Sequence, residues 1–507
     1  MIEEQKGGDN NQFQLRKVRR DVRENLAKLP KETEEMKKLM YVMFLFALVL
    51  GACSPTAAPV ATQAPAATQA PAVNEPPKAT DAPAAGPAVT ELSILWAEWD
   101  PANYLQEIGN MYEKETGIKV NVVQEPWGSF YDLMASQWAA KSNTYDMVVG
   151  DSQWTGQGAT QGHYVDLTAF MKSNGIDTSV TEATMKFYGE YPVGSGTYWA
   201  YPTEGDAVGW AYRKDLFEDP AEMDAFKAKY GYDLATPETW DQLRDIAEFF
   251  TRPDDPKNGV RYGVGVYTQK DYDGMIMGYE NVMFSYGADW FDPETFEVEG
   301  WVNSDEAVEA LTFYRELYKF APPGTSNAFF AEMNDAFISG QAAMIMNYFA
   351  FFPALANPGV NPFAEQTGFF AGPKGPGGEA YVALGGQGLS VLSYTSPERQ
   401  QASMDFIKWF AQEEIQREWA KVGGYTCNKA VLASEEFLTN TPYNQAFSDS
   451  MQMVKDFWNI PVFGQMLEPV NRILHPYIVD GQGDPKALLD QLAAEQRQIL
   501  VDNGVLK

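Results

Sequence analysis

The apolar positions of the chain fall into distinct patterns. From Leu39 to Leu50 the sequence LMYVMFLFALVL is apolar without a break. From Ser54 to Thr90 it is a low-complexity run rich in Pro, Ala and Thr that cannot bury a core, and its prolines favour extended, solvated backbone. From Glu91 onward apolar positions recur with the periods of strands and helices, so a folded body is expected there.

Leu92–Trp96 reads as a short buried strand. Over Asn103–Thr116, the residues Leu105, Ile108, Met111 and Tyr112 share one helical face, and Gly117 supplies the stop. Lys119–Val123 is a second strand, Ser129–Ala140 a second helix and Asp146–Val149 a third strand. This β-α-β-α-β order implies a parallel sheet with right-handed crossovers. Ligands of such sheets bind beyond the carboxyl ends of the strands. Three successive loops carry an acid and an aromatic to that rim. They hold Trp96, Glu98 and Trp99, then Glu125 and Trp127, then Asp151, Ser152 and Trp154.

Tyr198–Tyr212 holds two strand-like runs around a polar centre. Thr236-Pro237-Glu238 predicts a helix start, with Thr236 as N-cap, Pro237 at the first position and Trp240, Leu243, Ala247 and Phe250 as the buried stripe. Asn303–Phe320 predicts a helix capped by Asn303 and Glu306. Ala342–Asn347 is a buried strand that runs into the aromatic stretch 348–352, and Leu384–Leu392 is a Gly-rich turn into a strand. Ser396-Pro397 starts a helix with Phe406, Ile407 and Phe410 inward. A helix through Ile415, Trp419 and Val422 stops at Gly423-Gly424, and Ala487–Val501 is helical. The insert Glu218–Ala235 reads as surface decoration.

Composition narrows the partners. The 507 residues, enough for two or three domains, carry a formal net charge of −31. Such a surface repels phosphate backbones, so no nucleic-acid partner is expected, and it disfavours lying flat on anionic lipid. His163 and His475 are the only histidines, and no zinc signature can be built from them. No cofactor and no metal is expected.

Met36-Lys37-Lys38, the apolar run and Leu50-Gly51-Ala52-Cys53 have the order of a secretory signal. The run is too short for a bilayer-spanning helix, which needs about 20 residues. Leu50–Cys53 resembles the lipobox of bacterial lipoproteins. That resemblance implies cleavage before Cys53 and lipidation of its sulfur, with residues 36–52 as signal peptide and 53–90 as tether. Cys427 then has no disulfide partner. Residues 1–35 are polar, fit badly ahead of a signal, and read as an over-extended start; a cytoplasmic extension is the alternative.

The body also resembles a family. Tyr112–Val120 (YEKETGIKV), Tyr201-Pro202 followed by Tyr212–Leu216 (YRKDL), Pro237–Trp240 (PETW), Gly340–Met344 (GQAAM) and Gly385–Leu389 (GGQGL) are similar, in order, to elements of the maltose-binding-protein class of solute-binding proteins of ABC sugar importers. The resemblance implies an α/β, two-lobed type II periplasmic-binding-protein fold with a three-segment hinge. Residues 91–203 and 372–424 would form the N-terminal lobe, and 204–371 and 425–507 the C-terminal lobe. It places ligand contacts at Glu204 or Asp206 after the first hinge crossing and at Asp151, Ser152, Gln153 and Trp154 after the third strand. Further contacts fall at Asn347, Tyr348 and Phe349 after the "AAM" strand, at Gly386 and Gln387 in the Gly-rich turn, and at Tyr425 on the last crossing. This chain lacks the Gly and Trp usual after that strand, and Tyr348 is the favoured stacking residue. Tyr279 and Glu280 complete the candidates.

A sugar offers an apolar C–H face and a rim of hydroxyls, which aromatic rings and carboxylates match. The expectation is therefore a monomeric, lipid-anchored, extracytoplasmic receptor that takes a mono- or oligosaccharide to an ABC permease without performing a reaction. The rival readings are a glycoside hydrolase using Glu98 and Asp206 as a carboxylate pair and a peptide-binding protein of the same fold. Asp271-Tyr272-Asp273-Gly274 is a short echo of a calcium loop, better read as an acidic surface turn.

Overall fold

The computed structural model describes residues 89–506. The leader, Cys53 and most of the tether lie outside the described residues. β1 (Glu91–Ala97) lies between β2 (Lys119–Glu125) and β3 (Met147–Asp151) and runs parallel to both, with Ile94 opposite Val122 on one side and Met147 on the other. The helices Asp100–Thr116 and Trp127–Ala140 return the chain between these strands. The first begins at Asp100 rather than Asn103, because Asp100-Pro101 provides an acidic, φ-restricted first turn. Trp99 thereby becomes its N-cap residue, at the end of the sheet.

The two runs within Tyr198–Tyr212 become β4 (Tyr201–Glu204) and β5 (Val208–Arg213), and they belong to different sheets. β6 (Tyr262–Gly265), β7 (Ala342–Tyr348) and β8 (Thr367–Phe370) join β5 in a second sheet of order β6-β7-β5-β8. All seven residues of β7 are buried, as a central strand covered on both faces requires. β9 (Val382–Ala383) is a two-residue strand, and β10 (Gln387–Val391) returns to the first sheet, antiparallel between β3 and β4. β11 (Val454–Lys455) pairs with β9. The helices Phe463–Asp480 and Pro485–Asp502 pack on each other and on the helix Asp305–Tyr318 beside the second sheet.

The crossings between the sheets are laced together. Gly205 N–H donates to Tyr425 O at 2.6 Å, and Gly385 N–H to Asp206 O at 3.0 Å. Tyr425 N–H also reaches the Glu204 carboxylate at 3.4 Å.

Two helix starts differ from the sequence reading. The Trp240 helix (Trp240–Phe250) is capped by Thr239, not Thr236. Thr239 has Gln242 three residues on, and the two side chains satisfy each other's backbone N–H groups, a reciprocity Thr236 lacks. The helix Asp305–Tyr318 is capped by Ser304, whose hydroxyl accepts from Ala307 N–H. Asn303 instead accepts from Gly300 N–H and donates to Asp490 at 2.7 Å, tying this turn to the C-terminal helix.

Candidate functional site

A pocket of about 310 Å³ lies between the facing ends of the two sheets. Ala97, Glu98, Trp99, Trp127, Asp151 and Gln387 line it from the first sheet and its loops. Asp273, Met277, Phe329, Phe330, Tyr348 and Phe351 line it from the second, with Asp206 and Gly385 on the crossings. Seven sequence-selected residues are thus brought together: Glu98, Trp99, Trp127, Asp151, Asp206, Tyr348 and Gln387.

Strand register explains part of this convergence. Gln387, the first residue of β10, pairs with Asp151 at the end of β3 and with Glu204 at the end of β4. Its side-chain oxygen accepts from the Trp96 indole N–H, which orients the amide. Asp206 is only 2% exposed. Its Oδ1 accepts from the N–H groups of Ala207 at 2.9 Å and Ala350 at 3.3 Å, so one carboxylate ties the start of β5 to the turn after β7. Its Oδ2 has no donor in hydrogen-bond geometry among the described residues.

Burial pushes the Asp206 carboxyl well above its ordinary range, against the pull of the backbone donors. Asp151 is raised by burial and then by the neighbouring Asp273 and Asp456. Asp273 is raised by burial to about 7, although Gln153 donates to it at 3.5 Å.

The aromatic walls differ in character. The Trp99 ring stands edge-on to Trp96 at 5.7 Å, and its N–H has no acceptor among the described residues. Trp127 is 43% exposed and offers a free face at the rim. Phe330 and Phe351 stack at 4.2 Å to form the opposite wall. Tyr348 lines the pocket with its hydroxyl already given to Leu384 O at 3.0 Å. A second groove of about 540 Å³ continues outward and shares Trp127, Asp273, Phe329 and Phe330.

The remaining candidates do not line the inner pocket. Glu125 accepts from the Ser129 hydroxyl at 2.6 Å, in the first turn of the following helix. Ser152 and Gln153 turn to Asp151 and Asp273. A 3₁₀ turn after β3 carries Trp154 into the packing of Phe130, Tyr131 and Trp138, and it touches only the outer groove. Glu204 and Tyr425 meet at the crossings, and Tyr425 OH donates to Phe349 O at 2.7 Å. Phe349 is core, against Phe352 and Phe447. Asn347 donates to Phe330 O and Asn334 Oδ1 and accepts from Tyr267 OH. Tyr279 OH is bonded to Ala307 O, and Glu280 accepts from the Trp290 indole. Gly386 presses against Tyr188, where an added Cβ would stand 1.8 Å from the ring. Its lack of a side chain serves packing.

Sequence reasoning missed Asp273, Met277, Phe329, Phe330 and Phe351. Asp273 corrects the acidic-surface-turn reading, since it is 2% exposed and faces the pocket. The available signal was the Asp-Gly pair at the start of the helix Gly274–Ser285. Among the described residues no group of three or more His, Cys, Asp or Glu could hold a metal ion.

Two sheets with laced crossings and a pocket between their ends define a type II periplasmic-binding-protein fold. Residues 96–417 match the model of the bacterial extracellular solute-binding protein family, and the chain belongs to that family. It is 26% identical over 275 residues to YcjN of Escherichia coli (strain K12), a protein named as an ABC transporter periplasmic-binding protein. The match covers 53% of this chain and 57% of that relative, so it spans little more than half of the relative's length. The fold is similar to a solute-binding protein of an Agrobacterium radiobacter K84 ABC transporter in complex with ribitol, with TM-score 0.66, 22% identity and coverage of 81% of this chain and 99% of that one. It is likewise similar to maltose-bound T. maritima MalE3, with TM-score 0.66, 23% identity and coverage of 81% and 100%.

Proposed function

We propose that the protein captures a carbohydrate between its lobes and delivers it to the permease of an ABC importer, performing no reaction itself. The lobes comprise 91–203 with 372–424 and 204–371 with 425–507. The chain is held at the outer face of the cell membrane through a lipidated Cys53 and acts as a monomer. Among the described residues no helix is long and apolar enough to cross a membrane.

The observation that carries this reading is the composition of the interlobe pocket. Trp99, Trp127, Phe330 and Phe351 offer ring faces to the apolar side of a sugar, and Asp151, Asp206 and Gln387 offer acceptors and an amide to its hydroxyls. Family membership and the ribitol- and maltose-bound structural neighbours support the same class of ligand.

The test is a thermal-shift screen of the purified chain against mono- and oligosaccharides, polyols, amino acids and short peptides. Ligand at a hundred times Kd stabilises the native state by about 2.7 kcal/mol. A shift with a sugar that is not consumed on long incubation, and that is lost in Trp99→Ala and Asp206→Ala, supports the proposal. Slow loss of the sugar would establish the hydrolase reading, for which Glu98 and Asp206 both line the pocket. A shift with peptides alone would overturn the substrate class.

A further inference from the structure

Buried carboxylates in this protein fall into two kinds. Away from the pocket they are compensated, Glu190 by the backbone N–H groups of Gly194 and Gly196 and the others by cations. Asp146, 1% exposed, takes two hydrogen bonds of 2.6 Å from the Arg399 guanidinium. The buried Arg213 pairs with Asp215 at 2.7 Å, and Arg252 holds Glu222 at the same distance. Around the pocket they have no cation. Asp151, Asp206 and Asp273 are each more than nine-tenths buried, and Glu204, Glu280 and Asp456 lie buried behind them. No Lys, Arg or His lines the inner pocket or the outer groove. Lys455, beside Asp456 in sequence, is already paired with Asp289 at 2.6 Å and lies over the Phe284 ring. The outer groove adds Asp132, Asp271 and Glu332.

General acidity of the chain does not account for this. Excess acids belong on the surface, because a buried carboxylate without a counter-charge is costly. Asp206 lines the pocket, and its Oδ2 has no hydrogen-bond donor among the described residues, the adjacent Phe349 amide donating to Ala207 O. Glu280 Oε1 and Asp456 Oδ2 are likewise buried without partners among the described residues. The acids do not converge as metal ligands do; they are strung along a groove. The walls between them are aromatic side chains, a class of residue that attracts organic cations.

We infer that the ligand is a saccharide carrying one or more ammonium groups, an amino sugar or basic glycoside, whose positive charge supplies the counter-ion that the groove omits. This rests on the carbohydrate reading above and narrows it. A neutral sugar can hydrogen-bond these carboxylates but leaves their charge buried when it excludes water. An ammonium donates three charge-assisted hydrogen bonds and cancels charge at the same contact.

The test is calorimetric titration of the full chain at pH 7, where the amino sugars are mainly ammonium ions, and at low salt with matched sets of sugars. Glucosamine, galactosamine and the glucosamine disaccharide are each compared with the N-acetylated form and the neutral parent sugar. The expected result is at least tenfold tighter binding of the amine in one or more sets. That advantage should shrink about tenfold in Asp206→Asn and in Asp151→Asn, each first checked for native circular dichroism, so that either variant carries the test if the other does not fold. Equal or tighter binding of the neutral members overturns the inference and leaves the carbohydrate reading intact. An amine preference that persists unchanged in both variants reports only the overall field of the acidic chain and also overturns it. Failure of every saccharide, amine-bearing or neutral, overturns the proposed function itself.

Discussion

Replacing Asp273 by Asn should make the protein more stable at alkaline pH and leave it unchanged in acid. In the native state burial lifts this carboxyl to about 7, whereas its ordinary value is 3.8. Between those values the native state keeps a proton that the unfolded state has released, so stability falls as pH rises through the window and is level above it. A separation of about three pH units is worth roughly 4 kcal/mol, at about 1.4 kcal/mol per unit. Asp456, also lifted to about 7 by burial, and Asp151 share the same field. The protons therefore belong to the group, and the share of Asp273 is on the order of 2–4 kcal/mol. Asn cannot ionise, and its amide can still meet Gln153. Urea unfolding of parent and variant at pH 3, 4.5, 6, 7 and 8 should give free energies that coincide near pH 3, separate progressively from about pH 4 to pH 7 and stay apart above it, the variant being the more stable. Ion pairs elsewhere cancel in the difference. Parallel curves across the whole range would refute the argument that Asp273 is a buried, uncompensated acid.

Arg399→Ala strips the cation from Asp146 and leaves it buried with only the Ser93 N–H at 2.8 Å; a loss of about 2–4 kcal/mol is expected from urea unfolding. Gly386→Ala drives a methyl into Tyr188, whose hydroxyl is pinned to Asp206 O, and should lower the unfolding midpoint by an amount equivalent to about 1–3 kcal/mol or more. Cys53→Ser should move the protein from the membrane to the soluble fraction of its host; unchanged fractionation would remove the lipid anchor from the proposal.

The alternation of strands and helices made the first sheet legible, because β1, β2 and β3 are adjacent in sequence and their helices carry plain amphipathic patterns. The rim was legible only where a side chain had nothing nearer to bond. Glu98, Trp99 and Asp151 reach the pocket as strand ends should. Glu125 does not, because Ser129 lies one helical turn away and takes its carboxylate. Trp154 follows a strand end just as Trp99 does, yet a tight turn sends it into the core. The second wall was hidden for another reason. Asp273 reads locally as part of a polar turn, and Phe329 and Phe330 as a helix start. Only the packing of the Phe330 helix against β7 and of the Gly274 helix against β9 brings them opposite Trp99, and no local pattern encodes that distance.

The position of β10 bears on how the protein comes to be folded. This strand fills the gap between β3 and β4, yet it is made only after the whole second sheet has been synthesised. Until Gln387–Val391 emerges from the ribosome, the strands ending in Asp151 and Glu204 have no partner on their facing edges. Pairings between such distant segments close late and slowly. The nascent first lobe therefore stays unfinished through most of translation, and a fragment ending before Gln387 would expose the edges of β3 and β4 to pairing with other chains.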